Sequence, residues 1–194
     1  MKFKTFYLPL VAMLLLVINT VQAQDNSGFF DEGKLPEKPN AIKLDVLSAI
    51  YGDVSLYLER ALTNKISIEV GGGVLLSHYN PATTPLFFKN ELEGEIDSGF
   101  TWSIFPRYYV AGGALDSYYI GAQYKHRNFD MDGRNITQES TTFNFGYQWY
   151  PETWIMFDIY AGLGFYAEDP PRSTVLENTT GVAAGVGARV SFNF

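Results

Sequence analysis

The segment 142–149, TFNFGYQW, decides the fold, because large aromatic side chains alternate with small or polar ones along its whole length. Successive side chains of a β-strand point to opposite faces, so Phe143, Phe145, Tyr147 and Trp149 would share one face of an extended chain. A helix would scatter the same four aromatics around its circumference. The segment therefore predicts a β-strand with one apolar face.

The same alternation with a period of two recurs on both sides of this segment. Apolar side chains at every second position predict strands at 42–46, 54–59, 66–74, 100–109, 118–125, 142–149, 157–166 and 182–194. Eight strands joined in sequence predict an all-β fold, an eight-stranded antiparallel up-and-down barrel of meander topology. Six of the eight predicted strands have eight residues or more, close to or above the roughly 9–11 residues that a tilted strand needs to cross a bilayer, whereas the first two ranges have five and six.

The chain begins with the pattern of a secretory signal peptide. Lys2 and Lys4 precede an apolar stretch at 6–18, and small residues at Val21 and Ala23 suit a signal peptidase. We therefore predict a signal peptide at 1–23, a flexible periplasmic segment at 24–40, where glycine and proline interrupt polar residues, and the barrel at 41–194.

Charge and cysteine content exclude several classes of protein. Removal of Lys2 and Lys4 leaves 12 basic against 21 acidic residues, and this excess of acid argues against nucleic acid as a partner. The chain has no cysteine, so disulfides, thiolate metal sites and a lipid-anchored cysteine are excluded. No cofactor and no metal site are predicted.

The lengths of the connections predict an orientation. The even-numbered connections, at 63–65, 111–116 and 151–153, are short, whereas those at 77–98, 128–139 and 167–180 are long and the one at 51–53 is a hairpin. Outer-membrane barrels have short periplasmic turns and longer external loops. Both chain ends are therefore expected in the periplasm of a Gram-negative bacterium, with the barrel integral to its outer membrane.

Alternation alone leaves open which face is wet, because a soluble lipocalin-like barrel has the same number of strands with its apolar face inward. Large aromatics near the predicted periplasmic turns favour the membrane alternative, since aromatic girdles mark membrane interfaces. This predicted girdle consists of Tyr108, Tyr118, Trp149, Trp154 and Phe192. Outer-membrane lipid is then an expected partner.

The last strand resembles the targeting signal of outer-membrane barrels. Gly187, Val190, Phe192 and the terminal Phe194 place a glycine, then apolar residues at alternate positions, then an aromatic carboxylate. The resemblance implies recognition by the barrel assembly machinery.

Three further segments, 40–48 (NAIKLDVLS), 55–67 (SLYLERALTNKIS) and 119–125 (YIGAQYK), resemble a family of small outer-membrane barrels catalogued as a domain of unknown function. The resemblance implies an architecture like that of the OmpX and OmpA barrels. It implies no activity.

Charged residues on the face opposite the apolar one are nearly balanced in sign. Buried charges cost several kcal/mol each unless they are paired, so five basic and four acidic side chains predict a structural plug rather than a pore. The predicted interior network consists of Lys43, Asp45, Glu59, Glu69, Arg107, Lys125, Arg127, Asp158 and Arg189.

The sequence leaves two functions open. The first is a non-enzymatic barrel that acts in envelope integrity or binds another envelope or host-surface protein through its external loops, with Phe87 and Phe88 as a possible contact surface. The second is a lipid-modifying enzyme of the deacylase or acyltransferase type, with His126 as the base. Lipid A deacylase barrels carry a serine two residues after their histidine, and this chain has Asn128 there. We therefore predict no catalytic residues.

Overall fold

The computed structural model describes residues 35–77, 96–131, 133–150, 155–169 and 180–194. These residues form a closed barrel in which every strand pairs antiparallel with its sequence neighbours and β1 pairs with β8. The prediction of an eight-stranded meander is confirmed. The elements are β1 (Asn40–Asp45), α1 (Val46–Ile50), β2 (Asp53–Ala61), β3 (Ile66–Leu75), β4 (Ile96–Tyr109), β5 (Ser117–Met131), β6 (Arg134–Trp149), β7 (Ile155–Asp169) and β8 (Thr180–Asn193).

The strand register fixes the tilt of the strands. A row of paired residues can be followed once around the barrel from Lys43 on β1, through β2 to β7, to Gly181 on β8. Lys43 itself pairs with Ser191 on β8, so the register is displaced by ten residues when the barrel closes. Ten residues at a rise of ~3.3 Å, divided by eight strands ~4.8 Å apart, correspond to a tilt of about 40°.

The strands differ in length more than the alternation predicts. Strands β4 to β8 have 14 to 16 residues, whereas β1 has six. The predicted loop at 128–139 is wrong: β5 and β6 continue through it and pair as far as Met131 and Arg134, because Phe129, Met131 and Ile136 keep the inward alternation. Most polar residues of that segment face outward, and their number led to the prediction of a loop.

The first connection also differs from its predicted hairpin. Val46, assigned to β1 by the alternation, begins α1, because the Asp45 side chain accepts a hydrogen bond from the Ser48 N–H and caps the helix. Asp53, assigned to the turn, is the first residue of β2.

The two ends of the barrel are distinct. At the proximal end β1 begins and β8 ends, and at the distal end α1 joins β1 to β2. Inward-facing residues are largely buried polar and aromatic groups, whereas most outward-facing residues are exposed and apolar. This arrangement is the reverse of a lipocalin-like barrel, whose apolar face points inward. No helix in the described part of the chain has the length and apolar character needed to cross a membrane.

Candidate functional site

A layer of paired charges crosses the interior of the barrel, in the half nearer the proximal end. We call it the ion layer, and its members are Lys43, Asp45, Glu59, Glu69, Arg107, Asp158 and Arg189, each 0–2% exposed. These seven belong to the nine predicted interior charges. They come from six strands, since the alternation places one or two of them on the inner face of β1, β2, β3, β4, β7 and β8.

Each cation of the ion layer contacts more than one carboxylate. Lys43 Nζ lies 2.5 Å from Glu59 Oε2 and 2.8 Å from Asp158 Oδ2. Arg107 lies 2.6 Å from Glu69 Oε2 and 2.8 Å from Asp158 Oδ2. Such multiple pairing is what makes burial of full charges tolerable in a low-dielectric interior.

Arg189 of β8 completes the ion layer through contacts with carboxylates of β1 and β3. Its Nη1 lies 2.7 Å from Glu69 Oε1, and its Nε lies 3.3 Å from Asp45 Oδ2. Asp45 therefore serves both the ion layer and the N-cap of α1.

Aromatic side chains hold both arginines in place. The Arg107 guanidinium carbon lies 4.4 Å from the ring centroids of Phe105 and of Tyr119. Arg189 is held in the same way between Tyr57 and Tyr160, at 4.3 and 4.5 Å. Arginine stacks well on aromatic faces, so these rings replace part of the hydration that burial removes.

Tyrosine hydroxyls satisfy the remaining carboxylate oxygens. Tyr119 donates to Asp158 Oδ1 at 2.6 Å, and Tyr109 donates to Glu59 Oε1 at 2.9 Å. Ser67 donates to the same Glu59 oxygen. We did not predict a role for these hydroxyl groups, although their inward positions follow from the same alternation that identifies the charges.

A second, smaller group lies on the distal side of the ion layer. Lys125 Nζ contacts Asp53 Oδ2 at 2.6 Å, and Arg127 Nε lies 3.5 Å from the same oxygen. We call Asp53, Lys125 and Arg127 the distal ion cluster. Asp53 was missed because it was assigned to a turn, and with it the buried charges among the described residues number five basic and five acidic.

Both ends of the described interior are packed. At the proximal end Ala114 and Leu115, from the β4–β5 turn, pack with Tyr109 and Met156. Towards the distal end an apolar cluster is formed by Leu75, Ile96, Phe129, Met131 and Ile136. Side chains thus close the described interior at both ends and at the ion layer, so it does not form an open pore.

Four of the five residues predicted as a girdle lie on the outer wall. Tyr108, Tyr118, Trp149 and Phe192 are exposed on the outside near the proximal end, and Trp154 lies outside the described residues. Of the predicted assembly signal, Val190 and Phe192 face outward, while Gly187 faces inward beneath the Tyr160 ring. Phe194 exchanges backbone hydrogen bonds with Asn40, so the last residue closes the barrel against β1. Phe87 and Phe88 lie outside the described residues.

A polar cluster interrupts the apolar wall near the distal end. His126 Nδ1 lies 3.4 Å from Glu139 Oε1, and Tyr124 donates to that oxygen at 2.8 Å. The His126 ring stacks on Trp102 with centroids 5.5 Å apart. Asn128 donates to the Thr137 hydroxyl on the neighbouring strand. We did not predict the pairing of His126 with Glu139, because it depends on the register of β5 against β6.

Within the described ranges, no group of three or more histidine, aspartate or glutamate side chains is arranged to hold a metal ion. Comparison with known proteins gives no relative from which a function can be transferred: no protein-family model, no curated protein and no solved structure matches the chain.

Proposed function

We propose that this chain is an integral outer-membrane β-barrel of a Gram-negative bacterium, non-enzymatic and plugged, that contributes to envelope integrity or binds a partner through its external loops. The observation that carries the proposal is the inverted distribution of side chains. Charges lie inside in balanced pairs, and the outer wall presents apolar and aromatic side chains to the surroundings. A wall of this kind is stable in lipid and would aggregate in water.

The orientation follows from the same features. The proximal end carries the girdle and the short turn at 110–116, so we assign it to the periplasm, and the distal end with α1 faces outward. The structure weakens one part of the sequence argument, because the connection at 132–133 is short. The orientation therefore depends on the girdle and on β1 beginning and β8 ending at the same end of the barrel.

Membrane placement is tested by expression of the full chain and fractionation of the envelope. We expect extraction with detergent from the outer membrane and a heat-dependent change of migration on a gel, because a closed barrel resists denaturation until heated. A chain that stays soluble without detergent and migrates identically before and after heating would contradict the proposal.

The plug is tested by conductance in a planar bilayer. The ion layer spans the interior with side chains that are almost fully buried, so we expect no steady conductance from the refolded wild-type barrel. Stepwise openings of uniform size at low voltage would show that the interior conducts and would remove the plug from the proposal.

The His126–Glu139 pair favours a second candidate, a lipid-modifying enzyme. A carboxylate beside an imidazole on a lipid-facing wall has the arrangement of a base and its orienting group. Asn128 stands where a deacylase barrel has serine, and the described hydroxyl that bonds to His126, that of Thr101, donates to its backbone carbonyl and not to the imidazole ring. Lipid A mass spectra of cells with wild-type chain, with His126→Ala and with no chain discriminate the candidates. Loss of an acyl chain that requires His126 would establish the enzyme.

A further inference from the structure

The barrel wall is incomplete beside α1. Strand β8 pairs with β1 only from Arg189 to Asn193, so its residues 180–188 have no β-strand partner on that side among the described residues. The short helix α1 packs there, between β8 and β2. We call the gap between α1 and residues 180–188 the notch.

The notch lies at the depth of the membrane under the proposed placement. A residue advances about 2.5 Å along the axis at a rise of ~3.3 Å and a tilt of about 40°, so the six residues of β1 cover about 15 Å. The apolar band of an outer-membrane barrel is about 25 Å tall. Beyond the end of β1, the rest of the membrane-spanning wall next to β8 is therefore closed by α1 and not by a strand.

The rim of the notch is apolar. Val46 and Ile50 of α1 and Val182 and Val186 of β8 are exposed on the outer surface, Ile50 by 66%. Backbone groups without partners are not tolerated against lipid tails, where each costs several kcal/mol. The exposed edge of β8 is therefore a place where a molecule with both apolar and polar parts is favoured over a lipid tail alone.

Inside the notch, β7 and β8 line the barrel with almost no side chains. The inward-facing positions there are Gly162, Gly164, Gly181, Ala183, Gly185 and Gly187. Tyrosine rings occupy the space at Gly181 and Gly187, but at Gly185 a Cβ atom would meet nothing within 4 Å. Open space therefore lies directly behind the notch.

Two buried amide side chains, on β6 and β5, each have one atom without a hydrogen-bond partner among the described residues, although Asn144 Nδ2 donates to Thr142. Asn144 is 4% exposed, and its Oδ1 lies on the inner face of the sheet, where a Cβ atom on Gly162 would be. Gly162 pairs with Gly185 on β8. Gln123 is 6% exposed, and its Nε2 also lacks a partner. Buried polar groups of native proteins are almost always paired, so an unused acceptor and an unused donor on one interior wall indicate a polar ligand.

We infer that the notch is the mouth of a binding site for an outer-leaflet lipid with a neutral head group that bears hydroxyl or amide groups. The head enters beside Gly185 and reaches Asn144 and Gln123, while the acyl tail stays in the bilayer between Ile50 and Val186. A neutral head is required because the buried charges of the described residues already balance at five and five, so a further buried charge would lack a counterion. This inference rests on the proposed membrane placement.

The test uses the full barrel in phosphatidylcholine nanodiscs, with and without glucosyl diacylglycerol, and monitors the side-chain amide signals of Gln123 and Asn144 by NMR. We expect both signals to shift with the glycolipid, and to stay unchanged when methyl glucoside is added in solution instead. A shift with methyl glucoside alone would overturn the route through the notch. Unmoved signals with both probes would overturn the site.

Two leucine variants on one strand provide the matched control. Gly185→Leu fills the open space without a backbone clash and should abolish the shift, whereas Ala184→Leu adds the same bulk to the outer wall and should preserve it. Equal effects of the two variants would mean association with the outer surface and would overturn the inference. Heat-modifiable migration of every sample separates this outcome from failure of the membrane placement, because a barrel that does not insert contradicts the proposed function itself.

Discussion

Replacing Arg107 by methionine tests whether the ion layer stabilises the barrel through charge balance. The layer contains three cations and four carboxylates, so loss of Arg107 leaves two cations against four carboxylates. Glu69 and Asp158 would each lose a contact shorter than 3 Å. Removing one partner of a buried ion pair costs about 3–5 kcal/mol, which lowers the folding equilibrium constant more than hundredfold. Methionine retains the contacts with Phe105 and Tyr119, so the expected loss reports charge rather than volume.

Asp158→Asn is the informative counterpart, because it leaves three cations against three carboxylates. The carboxamide keeps the size of the side chain and can still accept the Tyr119 hydroxyl. We therefore expect a smaller cost, about 1–2 kcal/mol, despite the loss of two close contacts. The double variant should be more stable than the sum of the two single losses predicts, since each change compensates the charge left by the other.

The assay is the free energy of unfolding in urea, measured after refolding into detergent micelles or lipid vesicles and followed by gel migration. Arg60→Met is the control, because the Arg60 side chain is exposed and its one hydrogen bond to a described residue is to the Asn40 side chain, so its loss should cost under about 0.5 kcal/mol. Equal costs for Arg107→Met and Arg60→Met, or strict additivity in the double variant, would refute the argument from charge balance.

Three further changes test the other constraints. Gly187→Leu should destabilise the barrel by about 2–3 kcal/mol, because its Cβ would collide with the Tyr160 ring, whereas Gly113→Leu, where a Cβ meets nothing within 4 Å, should leave the urea midpoint unchanged. Deletion of Phe194 removes two backbone hydrogen bonds to Asn40 and the terminal aromatic; we expect a barrel weakened by about 1–2 kcal/mol that folds in vesicles but reaches the outer membrane slowly, as followed by pulse-chase gel migration. Asp45→Asn keeps a capping side chain for α1 but removes the charge, so it should be about 1 kcal/mol more stable in urea than Asp45→Ala, and equal stabilities would contradict the capping role.

The alternation of side chains was enough to predict the barrel, its order of strands and the two faces of every strand, because the pattern repeats with the period of the structure itself. The aromatic residues near the predicted turns were needed to decide which face points inward. It identified Arg107 and Asp158 as interior residues without any knowledge of which strands meet. The alternation gave wrong predictions at two places. Asp45 caps a helix and so ends β1 early, and the polar outward-facing residues of the distal part of β5 and β6 led to the prediction of a loop there.

Contacts between strands lie beyond single-sequence reasoning for a different reason. The pairing of His126 with Glu139, and the position of Asn144 beside Gly162 and Gly185, depend on register, and register is set by closure of the whole barrel. A shift of one residue in one strand would exchange the two faces of that strand. The His126–Glu139 pair and the surroundings of Asn144 therefore form only when the barrel closes in the correct register. The ion layer requires only that charged residues lie on the inward faces of the strands.

Asp45 connects the two candidate features of the interior. Its carboxylate accepts from Arg189 in the ion layer and from the Ser48 N–H at the start of α1, so the length of β1 and the composition of the ion layer are fixed by one side chain. A longer β1 would extend the pairing with β8 and close the notch with a strand, but Asp45 would then no longer cap α1. The structure therefore ties the incomplete wall to the charges below it, and changes in the ion layer that move Asp45 are expected to move α1 and with it the mouth of the inferred lipid site.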